Sequence, residues 1–170
     1  MKASELYHRP IVSLNNSVTV GEVADLTLDV THTQVGRLVL TGHNGNSVVP
    51  FAAVRHIGKD AVTIDDSLFV QAPLDMNDVT ERGISTLTGV SVMNQDGVIV
   101  GIVDDLEFDE TNGQIAALLV HRGGMLGIGG AHEAVPASAI RGVGPEMITV
   151  NTSTTIVGPV EPTKALPTDE

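Results

Sequence analysis

The side chains that could do chemistry are scattered, and few of their spacings suit a reaction. There are six histidines: His8, His32, His43, His56, His121 and His132. No two have the i, i+4 helical spacing that aims a pair of imidazoles at one metal ion. His121 and His132 flank a glycine-rich stretch and would converge if it folded back as a hairpin. Together with Glu133 they could then take zinc or nickel. Imidazoles solvated at turns are the plainer reading, so no metal ligand is assigned.

The stretch between those histidines, Gly123-Gly124-Met125-Leu126-Gly127-Ile128-Gly129-Gly130, invites a phosphate-binding reading. A Walker loop needs Lys-Ser/Thr after its last glycine, and here Ala131-His132 follow Gly130. A dinucleotide fingerprint starting at Gly127-Ile128-Gly129 needs a third glycine where His132 stands. A flexible hairpin loop fits better, with Met125, Leu126 and Ile128 as apolar candidates for contact with a partner. The densest acidic run is Asp104, Asp105, Glu107, Asp109, Glu110. A calcium loop starting at Asp105 would need glycine at its sixth position, which is Glu110. Read on a strand, Asp105, Glu107 and Asp109 share a solvent-facing parity, as do Asp25 and Asp29 earlier in the chain. With no G-x-S-x-G elbow and no cysteine, no catalytic residue is assigned.

The elements that would carry these groups follow from an internal repeat. Shifting the sequence by 80 residues lays Gly21 on Gly101, Val12 on Val92, Asp25 on Asp105, Asp29 on Asp109, Gln34 on Gln114 and Leu38 on Leu118, with 11 identities over positions 12–40. Beyond that the second copy gains six residues, and the offset of 86 lays Val49-Pro50 on Val135-Pro136, Arg55 on Arg141 and Thr63 on Thr149. Val18, Val20, Ala24, Leu26, Leu28 and Val30 alternate along a long strand, as do Val98, Val100, Ile102, Leu106 and Phe108, which predicts one buried face per copy. Gly21 and Gly101 interrupt these strands at matching places and predict a bend or bulge. Turns are expected at Asn15–Ser17 and Gln95–Gly97, and again at Asp29–Gln34 and Asp109–Gln114. Strands are expected at Val35–Leu40 and Ile115–Val120, proline-led helical turns after Pro50 and Pro136, and closing strands at Ala61–Ile64 and Met147–Val150.

Composition fits this reading. Apolar residues make up 42% of the 170, yet there are only three Phe, one Tyr and no Trp, so the core must come from aliphatic side chains that suit strands. The formal charge of −12, with its few bases scattered, argues against tracking nucleic-acid phosphates or an anionic bilayer. No run of residues is apolar and long enough to span a membrane, and a cytoplasmic location is expected.

The order of these pieces resembles the PRC-barrel family: a hairpin, V-G-x-V-x-D-L-x-x-D at Val20–Asp29 and its counterpart at Val100–Asp109, T-x-x-Q-[VI] at Thr31–Val35 and Thr111–Ile115, Val49-Pro50 and Val135-Pro136, and closing strands at Ile57–Ile64 and Val143–Val150. The second copy's His121–Gly130 stretch is similar to that family's glycine-rich loop. The resemblance implies an all-β fold of two small tandem barrels, each of five or six short strands with a helical turn. Residues 1–68 would form the first barrel, 69–86 a linker with one helical turn, 87–157 the second barrel and 158–170 a disordered tail. It also implies a non-enzymatic adaptor that binds a protein partner, with no cofactor and with self-association left open. One alternative is an RNA-processing or ribosome-maturation factor related to the RimM barrel, which would need Arg37, Arg55, Arg122 and Arg141 gathered on one face. The other is a small-molecule or metal-binding module. Neither the membrane anchor of the family's photosynthetic member nor the N-terminal domain of RimM is expected beside these barrels, so neither specialised role is carried over.

Overall fold

Each copy of the repeat builds a six-stranded sheet with the same strand order. In the computed structural model, which describes residues 1–29, 31, 33–42, 45–72, 82–122 and 131–151, the first copy comprises β1 (Pro10–Ser13), β2 (Val18–Leu28), β3 (Val35–Gly42), β4 (Gly45–Pro50), β5 (Val54–Ile57) and β6 (Val62–Ile64). The second comprises β7 (Ser91–Asn94), β8 (Ile99–Phe108), β9 (Ile115–Arg122), β10 (Ala131–Pro136), β11 (Ile140–Val143) and β12 (Met147–Val150). The orders are β4-β3-β2-β1-β6-β5 and β10-β9-β8-β7-β12-β11. All pairings are antiparallel except β1 with β6 and β7 with β12.

The connectivity itself makes each sheet roll up. β4 and β5 are the two ends of the first sheet, and laid flat they would stand five strand spacings apart, about 24 Å. The chain joins them through a single 3-10 turn, Phe51–Ala53, whose four residue steps reach about 14 Å at most. The ends can meet only if the sheet curls into a barrel. Ala137–Ala139 does the same between β10 and β11. These are the proline-led turns expected after Pro50 and Pro136.

Bulges supply the curvature. Ile11 pairs with Gly21 but Val12 with Thr19, which leaves Val20 as an extra residue; Val92 pairs with Gly101 and Met93 with Ile99, which leaves Val100. A second extra residue falls at Ala24 in β2 and at Asp104 in β8. The glycines sit where a neighbouring strand closes in: a Cβ on Gly21 would lie 2.8 Å from the carbonyl oxygen of Thr41, and one on Gly101 would lie 2.7 Å from that of His121. The predicted bend at these glycines is therefore a bulge with close backbone approach.

The same bulges overturn the predicted alternation. Each extra residue flips the strand face, so the buried set is Val23, Leu26 and Leu28 in β2 and Val103, Leu106 and Phe108 in β8, while Val18, Ala24, Val98 and Ile102 are exposed. The sequence offset also needs correction in the first strand. Ile11, not Val12, is the partner of Val92: each pairs with the bulge glycine of its own copy and each is fully buried. The true offset there is 81, because the β7–β8 turn is one residue shorter than the β1–β2 turn.

The turns after β2 and β8 explain several of the repeat's identities. The Asp29 carboxylate accepts hydrogen bonds from Thr31 Oγ1 at 2.5 Å, Thr33 N at 2.9 Å and Gln34 N at 3.3 Å. Asp109 accepts from Thr111 N at 2.7 Å. Each turn closes with the aspartate N–H donating to the glutamine carbonyl, at 2.9 and 2.8 Å. This is turn chemistry of the Asx type.

The two copies are locked together by a reciprocal exchange. β2 is 11 residues long, but its neighbour β1 has only four and covers Val18–Glu22 alone. The rest of that edge would be an open row of backbone donors and acceptors. The segment leading into the second copy covers it: Leu28 N donates to Arg82 O at 2.9 Å, and Thr27 bridges Gly83. In return, the segment leading into the first copy covers β8. Phe108 N donates to Met1 O at 2.9 Å, and Glu107 bridges Lys2. Gln34 bridges Gln114, its own counterpart in the repeat. Flanking that bridge, Val35 N donates to Gly113 O at 2.8 Å and Ile115 N to Thr33 O at 2.9 Å. The contacts are thus related by an approximate two-fold axis that passes near Gln34 and Gln114. Leu6 and Leu87, matching residues of the two lead-in segments, are buried in one apolar core that runs through both copies. The helical turn expected between the barrels is Ile84–Leu87, and its Ile84 and Leu87 are part of that core. Val30, expected at the end of the first alternating strand, and the tail from residue 158 lie outside the described residues.

Candidate functional site

The acidic residues of the strand repeat work at the seam. Just past the bulge in β2, Asp25 is only 9% exposed. Its carboxylate accepts from Leu26 N at 2.8 Å, and across the seam from Ser85 N at 3.1 Å and Ser85 Oγ at 2.5 Å. Asp105 repeats the pattern with Leu106 N at 2.8 Å, Ser4 N at 3.2 Å and Ser4 Oγ at 2.5 Å. The expectation that Asp25 and Asp105 line a solvent face is therefore corrected. The Ala24 and Asp104 bulges turn their carboxylates onto the lead-in segments. Tyr7 lies between the two carboxylates. Burial, the charges of Asp25 and Asp105 and a hydrogen bond to Asp25 together push its pKa up to about 12. The serines were not singled out in the sequence, since Ser4 matches Ser85 only at the offset of 81. Phe51 of the first copy packs edge-on against Phe108 of the second, with centroids 6.0 Å apart and an interplanar angle of 87°.

The first bulge of β8 also shapes its outer surface. Because Val100 is an extra residue, Ile99 and Ile102 fall on the same face. Val98, Ile99 and Ile102 are 56%, 50% and 42% exposed. The first copy has Val18, Thr19 and Glu22 at the matching positions, so this aliphatic strip belongs to the second copy alone. In the first copy the same region is an open groove of about 440 Å³, lined by Thr19–Glu22, Thr41 and Gly42. Among the described residues Glu22 is the groove's only ionisable lining group, so they place no carboxylate pair there.

His121 and His132 do converge. They face each other directly on β9 and β10, with ring centroids 5.0 Å apart. Glu133, the next residue along the strand, points to the other side and pairs with Arg122 at 3.8 Å. The carboxylate beside the imidazoles is instead Asp104, with Oδ2 3.6 Å from His132 Nδ1. Among the described residues, no three His, Cys, Asp or Glu side chains form a ready-made ligand set for a metal. Met125, Leu126 and Ile128, the predicted partner contacts, lie outside the described residues.

Arg55 is 3.8 Å from Asp65 and Arg122 is 3.8 Å from Glu133. Arg141 Nη1 donates to Asn151 Oδ1 at 3.3 Å. Among the described residues, no helix is long and apolar enough to cross a membrane.

No curated protein matches the chain. Among solved structures, a Pseudomonas aeruginosa protein described as a 16S ribosomal RNA processing protein, RimM, is similar at 10% identity and a TM-score of 0.30, covering 76% of this chain and 95% of that one. The model of the PRC-barrel domain matches twice, over residues 1–69 and 79–155. The two matches coincide with the two six-stranded sheets, and the chain belongs to the PRC-barrel family, with two such domains in tandem.

Proposed function

We propose that this protein is a non-enzymatic adaptor in the cytoplasm, whose two joined barrels hold one outer face toward a protein partner. The observation that carries this reading is the strip of Val98, Ile99 and Ile102. Three large aliphatic side chains are exposed within five residues, Ile99 and Ile102 on one face of a strand whose other end buries Leu106 and Phe108, and such a patch is a place for another surface to bury. The seam supports it further, because reciprocal hydrogen bonds and a shared core hold the strip rigidly against the rest of the molecule. Asp25 and Asp105 are occupied by the clasp rather than free for acid–base chemistry, which supports the non-enzymatic part.

The test replaces Ile99 and Ile102 with the residues that the first copy carries at the same places, I99T/I102E, and leaves Val98. The wild-type chain used as bait in a native-host extract should recover a reproducible partner that the double variant loses. Failure to recover any partner, or equal recovery by both forms, would refute the reading.

A further inference from the structure

The cluster of His121, His132 and Asp104 has no part in the seam or in the packing of the core. We infer that it is a surface site for a divalent transition metal of the nickel or zinc type, with the two histidines as ligands and solvent completing the coordination. This goes beyond the adaptor reading and does not depend on it.

Placement is the first support. His121 and His132 are direct cross-strand partners on β9 and β10, a position in which Cβ atoms lie about 5 Å apart and two side chains can close on one small ion. Their rings are 5.0 Å apart between centroids.

The orientation of the rings adds to this. His121 Nδ1 is sealed from solvent and has no hydrogen-bond partner, so the half-buried ring meets solvent at its Nε2 edge. His132 turns its Nδ1 toward Asp104 Oδ2, 3.6 Å away and just beyond hydrogen-bond length. One Nδ1 is thus closed off from solvent and the other faces a carboxylate, which leaves Nε2 as the nitrogen each ring can offer to an ion. A carboxylate behind one imidazole is the usual outer partner of a metal-bound histidine, since it fixes the tautomer and strengthens the ligand. Imidazole nitrogens select borderline metals such as nickel, copper and zinc over calcium or magnesium. Because no third ligand from the described residues completes the set, the site is open, with two protein ligands.

The comparison of the two copies adds a third support. Where the second copy has His121 facing His132, the first has Thr41 facing Asn46. Where the second has Asp104 as its extra bulge residue, the first has Ala24. All three groups needed for the site are present in one copy and absent from the other, at positions that the fold makes adjacent.

Titration calorimetry of the tag-free full chain with nickel chloride, and separately with zinc chloride, tests the inference. One saturable site per chain is expected. H121T/H132N, which installs the first copy's residues, should weaken binding at least about 100-fold, and D104A should weaken it about tenfold, in the range for outer-shell partners. Nuclear magnetic resonance of the wild-type chain decides the matter even if a variant fails to fold: paramagnetic nickel should broaden the imidazole signals of His121 and His132 first. No saturable binding would overturn the inference. So would equal affinity in H121T/H132N, or broadening that starts at His8 or His56.

Discussion

Asp25→Ala removes one half of the clasp between the barrels, and its cost can be worked from the contacts it breaks. The carboxylate is 9% exposed and accepts four hydrogen bonds, one from its own strand, two from Ser85 and one from Tyr7. Hydrogen bonds to a charged acceptor contribute about 1.5–3 kcal/mol each, and a buried N–H left without a partner costs about 1–3 kcal/mol. The amides of Leu26 and Ser85 both lose their acceptor, while the desolvation already borne by the carboxylate offsets part of the loss. The net destabilisation should be about 3 kcal/mol, or a fall in Tm of roughly 6–12 °C for a chain of this size. Urea unfolding and calorimetry would measure it. Ser85→Ala removes only the hydroxyl bond, at about 1 kcal/mol, and a double-mutant cycle should give a coupling of similar size between the two positions. If Asp25→Ala cost no more than a control at the exposed Asp60, or if the cycle gave no coupling, the account of the seam would be wrong.

Four further outcomes can be checked. Tyr7 is the only tyrosine and there is no tryptophan, so tyrosinate absorbance reports this residue alone; it should titrate near 12 in the folded chain and near 10 in urea. Since the folded value is raised, its contribution to stability is complete below about pH 10 and lost as pH rises toward the folded value, and Asp25→Ala should lower the folded midpoint. At the acid end, hydrogen bonds from Leu68 N to Asp66 and from Thr111 N to Asp109 hold those carboxyls below their ordinary range. Burial would raise Asp29, but the bonds from Thr31, Thr33 and Gln34 together outweigh it. Depressed carboxyls stabilise the fold above about pH 4 and lose that contribution as pH falls through their folded values, so urea midpoints should drop steeply below pH 4. Gly101→Ala would place a methyl 2.7 Å from the carbonyl oxygen of His121 and should cost about 1–3 kcal/mol in chemical unfolding. Phe108→Ala empties the buried side of the Phe51 contact and should cost about 3–5 kcal/mol by the same measurement.

Much of the fold could be read from the sequence because the repeat presented each signal twice. Gly21 with Gly101, Asp29 with Asp109 and Pro50 with Pro136 marked bulge, turn and 3-10 turn, and each marks a local rule that side-chain chemistry enforces. The alternation along β2 and β8 misled because period two holds only in an unbroken strand, and Val20 and Ala24, with Val100 and Asp104, each break it. The seam was hidden for another reason. Ser85 with Asp25 and Ser4 with Asp105 are long-range pairs, and the one-residue difference between hairpin turns put Ser4 and Ser85 out of step in the alignment. The convergence of His121 and His132 followed from reading a hairpin. Asp104 in place of Glu133 did not, because a bulge residue's direction depends on the register of the neighbouring strand.

The near two-fold relation at Gln34 and Gln114 has a consequence for how this molecule can change. When two identical subunits meet across such an axis, any substitution appears on both sides at once, and their association can be undone by dilution. Here both sides belong to one chain, so the pairing is unimolecular and independent of concentration. Each half is encoded separately. The surfaces that meet must stay matched, but a residue away from them can be altered in one half while its counterpart stays as it was, giving a symmetric frame with two different faces.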